Sequence, residues 1–129
     1  MLSGDYGTPL HAASYSGHIE ITRLLLGNGA EVSALGGDFG TALQAAAYSG
    51  CLEIARLLIG LHVDVNTAGG QYGTALQAAA FSGCIDVVDL LVAHGAEVDL
   101  FGGQYGTALQ AASCNGKIEV VEFLLAHGA

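Results

Sequence analysis

A 33-residue period constrains this chain more than any other feature of its sequence. A Gly-Thr pair occurs four times without insertion or deletion, at residues 7–8, 40–41, 73–74 and 106–107. The pair opens the block GTPLHAA in the first copy and GTALQAA in the other three. Other glycines recur in the same phase, so glycine marks repeated turns rather than low complexity. The period predicts a stack of similar units.

Each unit is predicted to contain two short helices joined by a tight turn. The first helix, such as residues 42–49, is rich in alanine, the strongest helix former. The second, such as residues 85–93, carries one apolar face formed by Ile85, Val88, Leu91 and Val92. An acidic residue falls in its first turn, where it meets the positive end of the helix dipole, at Glu20, Glu53, Asp86 and Glu119. Helices this short cannot bury their apolar faces alone, so the units are expected to stack into an all-α solenoid.

The period and the segment Thr8-Pro9-Leu10-His11-x-Ala together resemble the ankyrin repeat. Further matches to that pattern are Gly17-His18-Ile19-Glu20, Leu24-Leu25-Leu26 and Gly29-Ala30-Glu31-Val32. The resemblance implies antiparallel helix pairs, with a hairpin-like finger projecting from each joining loop. We therefore expect one ankyrin-repeat domain over 1–129, with repeats at approximately 4–36, 37–69, 70–102 and 103–129.

Two departures from the usual ankyrin pattern narrow the resemblance. The later repeats have Thr-Ala-Leu-Gln in place of Thr-Pro-Leu-His, and the last two fingers have Gly-Gly-Gln-Tyr-Gly. Both variants resemble the ankyrin arrays of large fungal proteins with a NACHT-type nucleotide-binding module. That resemblance implies the ligand-sensing part of a larger, NLR-like receptor protein. The nucleotide-binding motif GxxxxGK[ST] itself does not occur in this sequence.

The charge balance limits the class of partner. The chain has 12 acidic and three basic residues, for a net charge of −9. Such a surface repels a phosphate backbone, so nucleic acid and anionic membranes are poor candidates. We expect a protein or peptide partner that is neutral to basic. The sequence has no apolar run of about 18 residues and no secretory signal, which favours a cytoplasmic location.

The cysteines and histidines offer little catalytic chemistry. Equivalent positions in adjacent repeats should lie about 8–10 Å apart, too far for a disulfide or a shared zinc ion. Cys51, Cys84 and Cys114 are therefore expected to be small, reduced core residues, as in a cytosolic protein. A thiol enzyme that pairs Cys114 with a histidine is a remote third class, because no orienting acid or oxyanion motif accompanies it. We expect no enzymatic activity and no cofactor or metal.

Two aromatic columns give the candidate binding surface. One lies just before each Gly-Thr pair, at Tyr6, Phe39, Tyr72 and Tyr105, and the other ends the first helix, at Tyr15, Tyr48 and Phe81 with Cys114 in the fourth place. In the ankyrin family both regions border the concave groove that contacts partners. Packing between fingers and helices is an equal alternative for the first column, because a near-invariant residue suggests packing. Asp5, Asp38, Gln71 and Gln104 vary beside that column and are expected to be exposed. The predicted partner-binding residues are Asp38, Tyr48, Gln71, Phe81, Gln104 and Cys114, with Tyr15 and Ser82 behind them.

Two function classes stay open at this point. The first is a partner-binding receptor module, and the second is a structural array that acts as a spacer or a self-association surface. The last helix is as apolar as an internal one, and the chain stops where the next loop should begin. We therefore expect a fragment of a longer array that self-associates through its end.

His62 breaks one of the glycine columns. The other members of that column, Gly29, Gly95 and Gly128, stand where a helix should end in a left-handed residue. We expect His62 to have a positive φ, at a cost in stability.

Overall fold

The structure is a computed structural model that describes residues 7–129. These residues form eight helices in four antiparallel pairs. The first helices of the pairs, called inner helices, are α1 Pro9–Ser16, α3 Ala42–Ser49, α5 Ala75–Ser82 and α7 Ala108–Cys114. The second, called outer helices, are α2 Ile19–Gly27, α4 Leu52–Gly60, α6 Ile85–Ala93 and α8 Ile118–Ala126.

The pairs stack in chain order into a solenoid. Each inner helix packs on the next inner helix and on its own outer helix. The loops between pairs carry the fingers, each closed by one isolated antiparallel bridge: Gly36 to Gly40, Gly69 to Gly73, and Gly102 to Gly106. No longer strand occurs in the described part of the chain. The expectation of an all-α solenoid of helix-turn-helix repeats is confirmed. The four numbered repeat boundaries stay a prediction.

The repeated Gly-Thr-x-Leu-Gln/His segment explains where every inner helix begins. The threonine is the N-cap residue, and its side chain accepts a hydrogen bond from the backbone of the residue three positions later. That later residue, a histidine or glutamine, bonds back to the threonine N–H and completes a capping box. The first three inner helices end at a left-handed glycine: Gly17, Gly50 and Gly83.

The same histidine or glutamine also joins each repeat to the next one. Gln44 donates from Nε2 to the carbonyl of Gly69 at 2.9 Å and to that of Gly73. Gln77 donates to Leu100 at 3.2 Å, and also bonds Gly102 and Gly106. His11 bridges repeats one and two in the same way. Its Nε2 lies 3.0 Å from the carbonyl oxygen of Ala34 and 2.6 Å from that of Gly40. Its Nδ1 accepts the Thr8 N–H at 3.1 Å, so Nε2 carries the proton and donates.

Alanine on the inner helices lets neighbouring repeats approach closely. Ala42, Ala46 and Ala79 are fully buried between stacked helices. The larger core side chains come mainly from the outer helices, where Ile54, Leu58, Val88 and Leu91 are at most 1% exposed. The helices are only seven to nine residues long. Within residues 7–129, none of the helices combines the length and the apolar character that a membrane span requires.

The outer helices end in a left-handed residue, as the third glycine column predicts. Gly29 has φ 93°, Gly95 has φ 95° and His62 has φ 64°. The expected positive φ of His62 is confirmed. In the glycine-containing repeats the amide after this residue bonds back across the helix end: Ala30 to Leu25, Ala96 to Leu91 and Ala129 to Leu124, at 2.9–3.0 Å. Among the backbone bonds of residues 7–129, the matching bond from Val63 to Leu58 is missing.

His62→Gly is expected to stabilise the protein by about 1 kcal/mol, because a left-handed non-glycine residue is strained by roughly that amount. Urea unfolding of the wild type and the variant measures the difference. Gly95→His is the matched reverse substitution, because a Cβ added at Gly95 has no neighbour within 4 Å and only backbone strain is introduced. It should destabilise by a similar amount. A less stable His62→Gly variant would show that the imidazole makes a compensating contact.

Candidate functional site

The finger tips form one row of exposed side chains on a hydrogen-bonded backbone. Asp38, Gln71 and Gln104 are all exposed, as expected from the sequence. The Gln71 amide donates to the Asp38 carbonyl at 2.6 Å, and the Gln104 amide donates to the Gln71 carbonyl at 2.7 Å. We call these three residues the finger row. Their backbones are therefore held in register while their side chains stay free to contact a partner. Asp5, the fourth member of the column, lies outside the described residues.

The two aromatic columns interleave into a single row of rings. We call this row the aromatic ladder, and its described members are Tyr15, Phe39, Tyr48, Tyr72, Phe81 and Tyr105. Successive centroids along it lie 5.1, 5.0, 4.9, 5.3 and 4.5 Å apart. These separations are those of favourable aromatic pairs. Tyr6, the remaining member of the finger column, lies outside the described residues.

The aromatic ladder packs the fingers against the inner helices. Rings within the finger column also stack on each other, with Phe39 to Tyr72 at 5.9 Å and Tyr72 to Tyr105 at 5.8 Å. Packing is thus one role of the finger column, and the rings from the inner helices share in it. Every ladder residue nevertheless stays half-buried rather than buried. The ladder therefore presents a continuous, partly exposed aromatic strip beside the finger row.

The Tyr72 hydroxyl in this strip is a neutral hydrogen-bonding group. Burial, followed by the neighbouring hydroxyl of Tyr48, raises the pKa of Tyr72 well above its ordinary value. Tyr72 is therefore uncharged at physiological pH. A partner would meet an aromatic, amphipathic surface with little charge of its own.

The cysteines do not all lie where the sequence suggested. Cys51 and Cys84 are half-buried, and their Sγ atoms lie 4.0 and 3.9 Å from the carbonyls of Tyr15 and Tyr48. Burial raises the pKa of both thiols, which lowers their reactive thiolate fraction. Cys114 is exposed, so its assignment as a core residue is wrong. It is the last residue of α7, whereas its equivalents Tyr48 and Phe81 are the penultimate residues of α3 and α5. The column is half-buried in the first three repeats and exposed in the fourth.

Ser82 is the last residue of α5 and is half-buried beside Phe81 in the chain. In the next repeat the equivalent Asn115 donates from Nδ2 to the Phe81 carbonyl at 2.6 Å. This column thus lies at the C-terminal end of each inner helix. Within residues 7–129, no group of three or more His, Cys, Asp or Glu side chains is placed to hold a metal ion.

Sequence reasoning missed the two most exposed apolar side chains of the fingers. Phe101 is 78% exposed and Leu35 is 60% exposed. They share a repeat column with Ala68, so this column varies where the packing columns hardly change. That variation is the signal that could have found them, because a side chain facing solvent is free to differ between repeats.

Stacked helix pairs with a row of fingers and an aromatic strip define a repeat scaffold, a class whose repeats contact only their neighbours and build one extended surface. The family comparison gives the particular family. The model described as "Ankyrin repeats (3 copies)" matches residues 2–69, 35–102 and 61–129. The chain belongs to the ankyrin-repeat family. No individual curated protein matches it. Ankyrin repeats are generally protein-interaction modules, and they are typically not enzymes.

Proposed function

We propose that this chain binds a protein or peptide through the surface made by the finger row and the aromatic ladder. The observation that carries the proposal is the continuous strip of six described rings beside exposed, register-locked finger tips. Large rings supply contact area at small cost in side-chain entropy and dominate many interfaces. The exposed Cys114 extends the inner-helix column of this surface by one repeat.

The charge of this surface favours a neutral to basic partner. Asp38 is the only charged residue of the finger row and the aromatic ladder. The chain as a whole carries a net charge of −9, which disfavours nucleic acid and anionic membranes. We further propose that the protein works in the cytoplasm, without cofactor or catalysis, as the ligand-sensing part of a larger NLR-like protein of the fungal NACHT type. The Gly-Gly-Gln-Tyr-Gly fingers and the Thr-Ala-Leu-Gln segments support this context.

The test is selection of binding peptides from two display libraries, one neutral to basic and one acidic. Binders are expected from the first library only. For a selected peptide, Tyr48→Ala and Phe81→Ala should each weaken binding by about 1–4 kcal/mol, or roughly 5- to 1,000-fold in Kd. Calorimetry or fluorescence anisotropy on the purified variants measures this loss.

Two sets of controls separate binding from folding. Asp38→Ala, Gln71→Ala and Gln104→Ala combined remove only exposed side chains, so affinity should fall while thermal stability stays near that of the wild type. Arg56→Ala and Glu122→Ala change the exposed face of the outer helices and should leave Kd nearly unchanged. The proposed surface would be contradicted if Arg56→Ala or Glu122→Ala abolished binding while Tyr48→Ala and Phe81→Ala left Kd unchanged.

The second candidate function is a structural array that acts as a spacer or associates with itself. Ile118 is 71% exposed and Leu125 is 55% exposed, both on α8, and this exposure favours self-association over a passive spacer. Analytical ultracentrifugation over a range of concentrations distinguishes it from the first, because peptide binding does not require the protein to oligomerise.

A further inference from the structure

Comparison of equivalent positions shows which side of a repeat faces its neighbours. Some columns are buried in repeats two to four and open only in repeat one, so they face the preceding repeat. In repeat one these positions are Pro9, Ala12, Ile21 and Leu25, which we call the leading face. Other columns are more exposed in repeat four than in the earlier repeats, so they face the following repeat. In repeat four these are Leu109, Gln110, Ser113, Ile118, Val121 and Leu125, which we call the trailing face.

The leading face has the chemistry that the internal interfaces use. Its counterparts in repeat two are Ala42, Ala45, Ile54 and Leu58, all at most 1% exposed. Ile21 repeats the isoleucine of Ile54, and Leu25 repeats the leucine of Leu58. Ile21 itself is 49% exposed. The leading face is therefore an apolar surface of the same pattern, and no repeat within residues 7–129 covers it as repeat one covers these counterparts.

The trailing face carries a hydrogen-bond donor already oriented for a neighbour. Gln110 is held by its capping box, with Oε1 accepting the Thr107 N–H at 2.7 Å, as Gln77 holds the Thr74 N–H at 2.6 Å. In Gln77 the other end of the amide donates to carbonyls of the next finger, including Gly106. Gln110 is exposed, and the residue of repeat one that is equivalent to Gly106 is Gly7. A leading face stacked on the trailing face would bring a Gly7 carbonyl to the Gln110 amide.

Charge on the outer helices favours the same direction of stacking. One exposed column reads Arg23, Arg56, Asp89 and Glu122 from repeat one to repeat four. Continuing the array into a second copy places Glu122 beside Arg23 of that copy. Opposite charges across this junction favour head-to-tail stacking in the register of the array.

We propose that the trailing face of one copy binds the leading face of a second copy, so that the ankyrin array continues head to tail between molecules. The contact is heterologous and leaves one face of each kind free at the ends of an assembly, so growth is open-ended. This inference gives the self-association named above its surfaces and its direction. It does not depend on any partner of the aromatic ladder.

The decisive experiment mixes two variants that each lack one face. Ile21→Asp blocks the leading face and Ile118→Asp blocks the trailing face. Both residues are exposed and lie in the first turn of a helix, where an aspartate is tolerated, so both variants should keep the wild-type circular dichroism. In sedimentation velocity up to about 1 mM, near the limit of weak specific association, the wild type should form dimers and larger species. Each variant alone should be monomeric, and the equimolar mixture should form a dimer and nothing larger.

Each other outcome overturns the proposal in a specific way. A monomeric wild type or a monomeric mixture would show that the two faces do not bind each other. Dimers of Ile21→Asp alone would show that two trailing faces pair, and dimers of Ile118→Asp alone that two leading faces pair. Leu61→Asp is the matched control, because Leu61 is 45% exposed on repeat two and belongs to neither face. It should associate like the wild type.

A charge exchange tests the register independently. Arg23→Glu and Glu122→Arg should each reduce association severalfold, and the double variant should recover it. The measurements are made at about 0.15 M salt, where repulsion between acidic copies is largely screened at distances beyond about 8 Å. Failure of these experiments leaves peptide binding by the aromatic ladder intact, because none of the substituted residues belongs to that surface.

Discussion

Gln77→Ala is expected to destabilise the protein by about 3–5 kcal/mol, enough to unfold much of a small array at room temperature. Gln77 is 2% exposed and lies between repeats three and four. Its Oε1 accepts the Thr74 N–H at 2.6 Å, and its Nε2 donates to carbonyls of the following finger. Alanine leaves a buried N–H and several carbonyls without partners, and each unsatisfied buried group costs about 1–3 kcal/mol. Urea unfolding followed by circular dichroism measures the loss.

The chain contains its own control and its own rescue for this substitution. Gln110 occupies the same column and makes the same capping box, but it is exposed. Gln110→Ala should therefore cost only about 0.5–1 kcal/mol. Gln77→His should recover much of the lost stability, because His11 bridges repeats one and two in the same way. Equal effects of Gln77→Ala and Gln110→Ala would mean that the cap, and not the bridge between repeats, carries the stability.

The local features of this fold could be predicted because their causes lie close together in the sequence. The threonine caps and their partners are three residues apart, and the left-handed helix ends are marked by glycine. The positive φ of His62 could also be predicted, because His62 occupies a column in which the other repeats have glycine. The bridge made by Gln77 was not predicted, because its acceptors lie 23 to 29 residues further along the chain. Nothing within one repeat indicates that the capping glutamine also reaches the next finger.

The candidate site was predicted less completely than the fold, for a related reason. Column positions correctly gave the exposed finger residues Asp38, Gln71 and Gln104. They did not show that rings from two columns would interleave, since this depends on how fingers and inner helices meet in space. Cys114 was assigned to the core by residue type, although its column is half-buried in the first three repeats. The repeat column that Cys114 shares with Tyr48 and Phe81 indicates its exposure better than its residue type does.

Gly103→Ala is expected to destabilise the protein by about 3 kcal/mol or more and to lower the affinity of any ligand that binds the finger row. Gly103 has φ 67°, a left-handed conformation that costs a non-glycine residue about 1–2 kcal/mol. A Cβ at this position would also lie 2.5 Å from the Gly73 nitrogen and from the Tyr72 carbonyl carbon. These are backbone atoms of the preceding finger, so the fingers must separate, and overpacking of this kind adds about 1–3 kcal/mol.

Separation of the fingers links this stability effect to function. The Gln104 amide would move away from the Gln71 carbonyl, and the stack of Tyr72 on Tyr105 would loosen. Gly116→Ala separates backbone strain from the clash with the preceding finger. Gly116 has φ 70°, but a Cβ there meets nothing within 4 Å. Gly116→Ala should lose only about 1–2 kcal/mol and keep full affinity for a peptide selected by the wild type. If both variants lose the same stability and both keep that affinity, close contact between the fingers does not organise the binding surface.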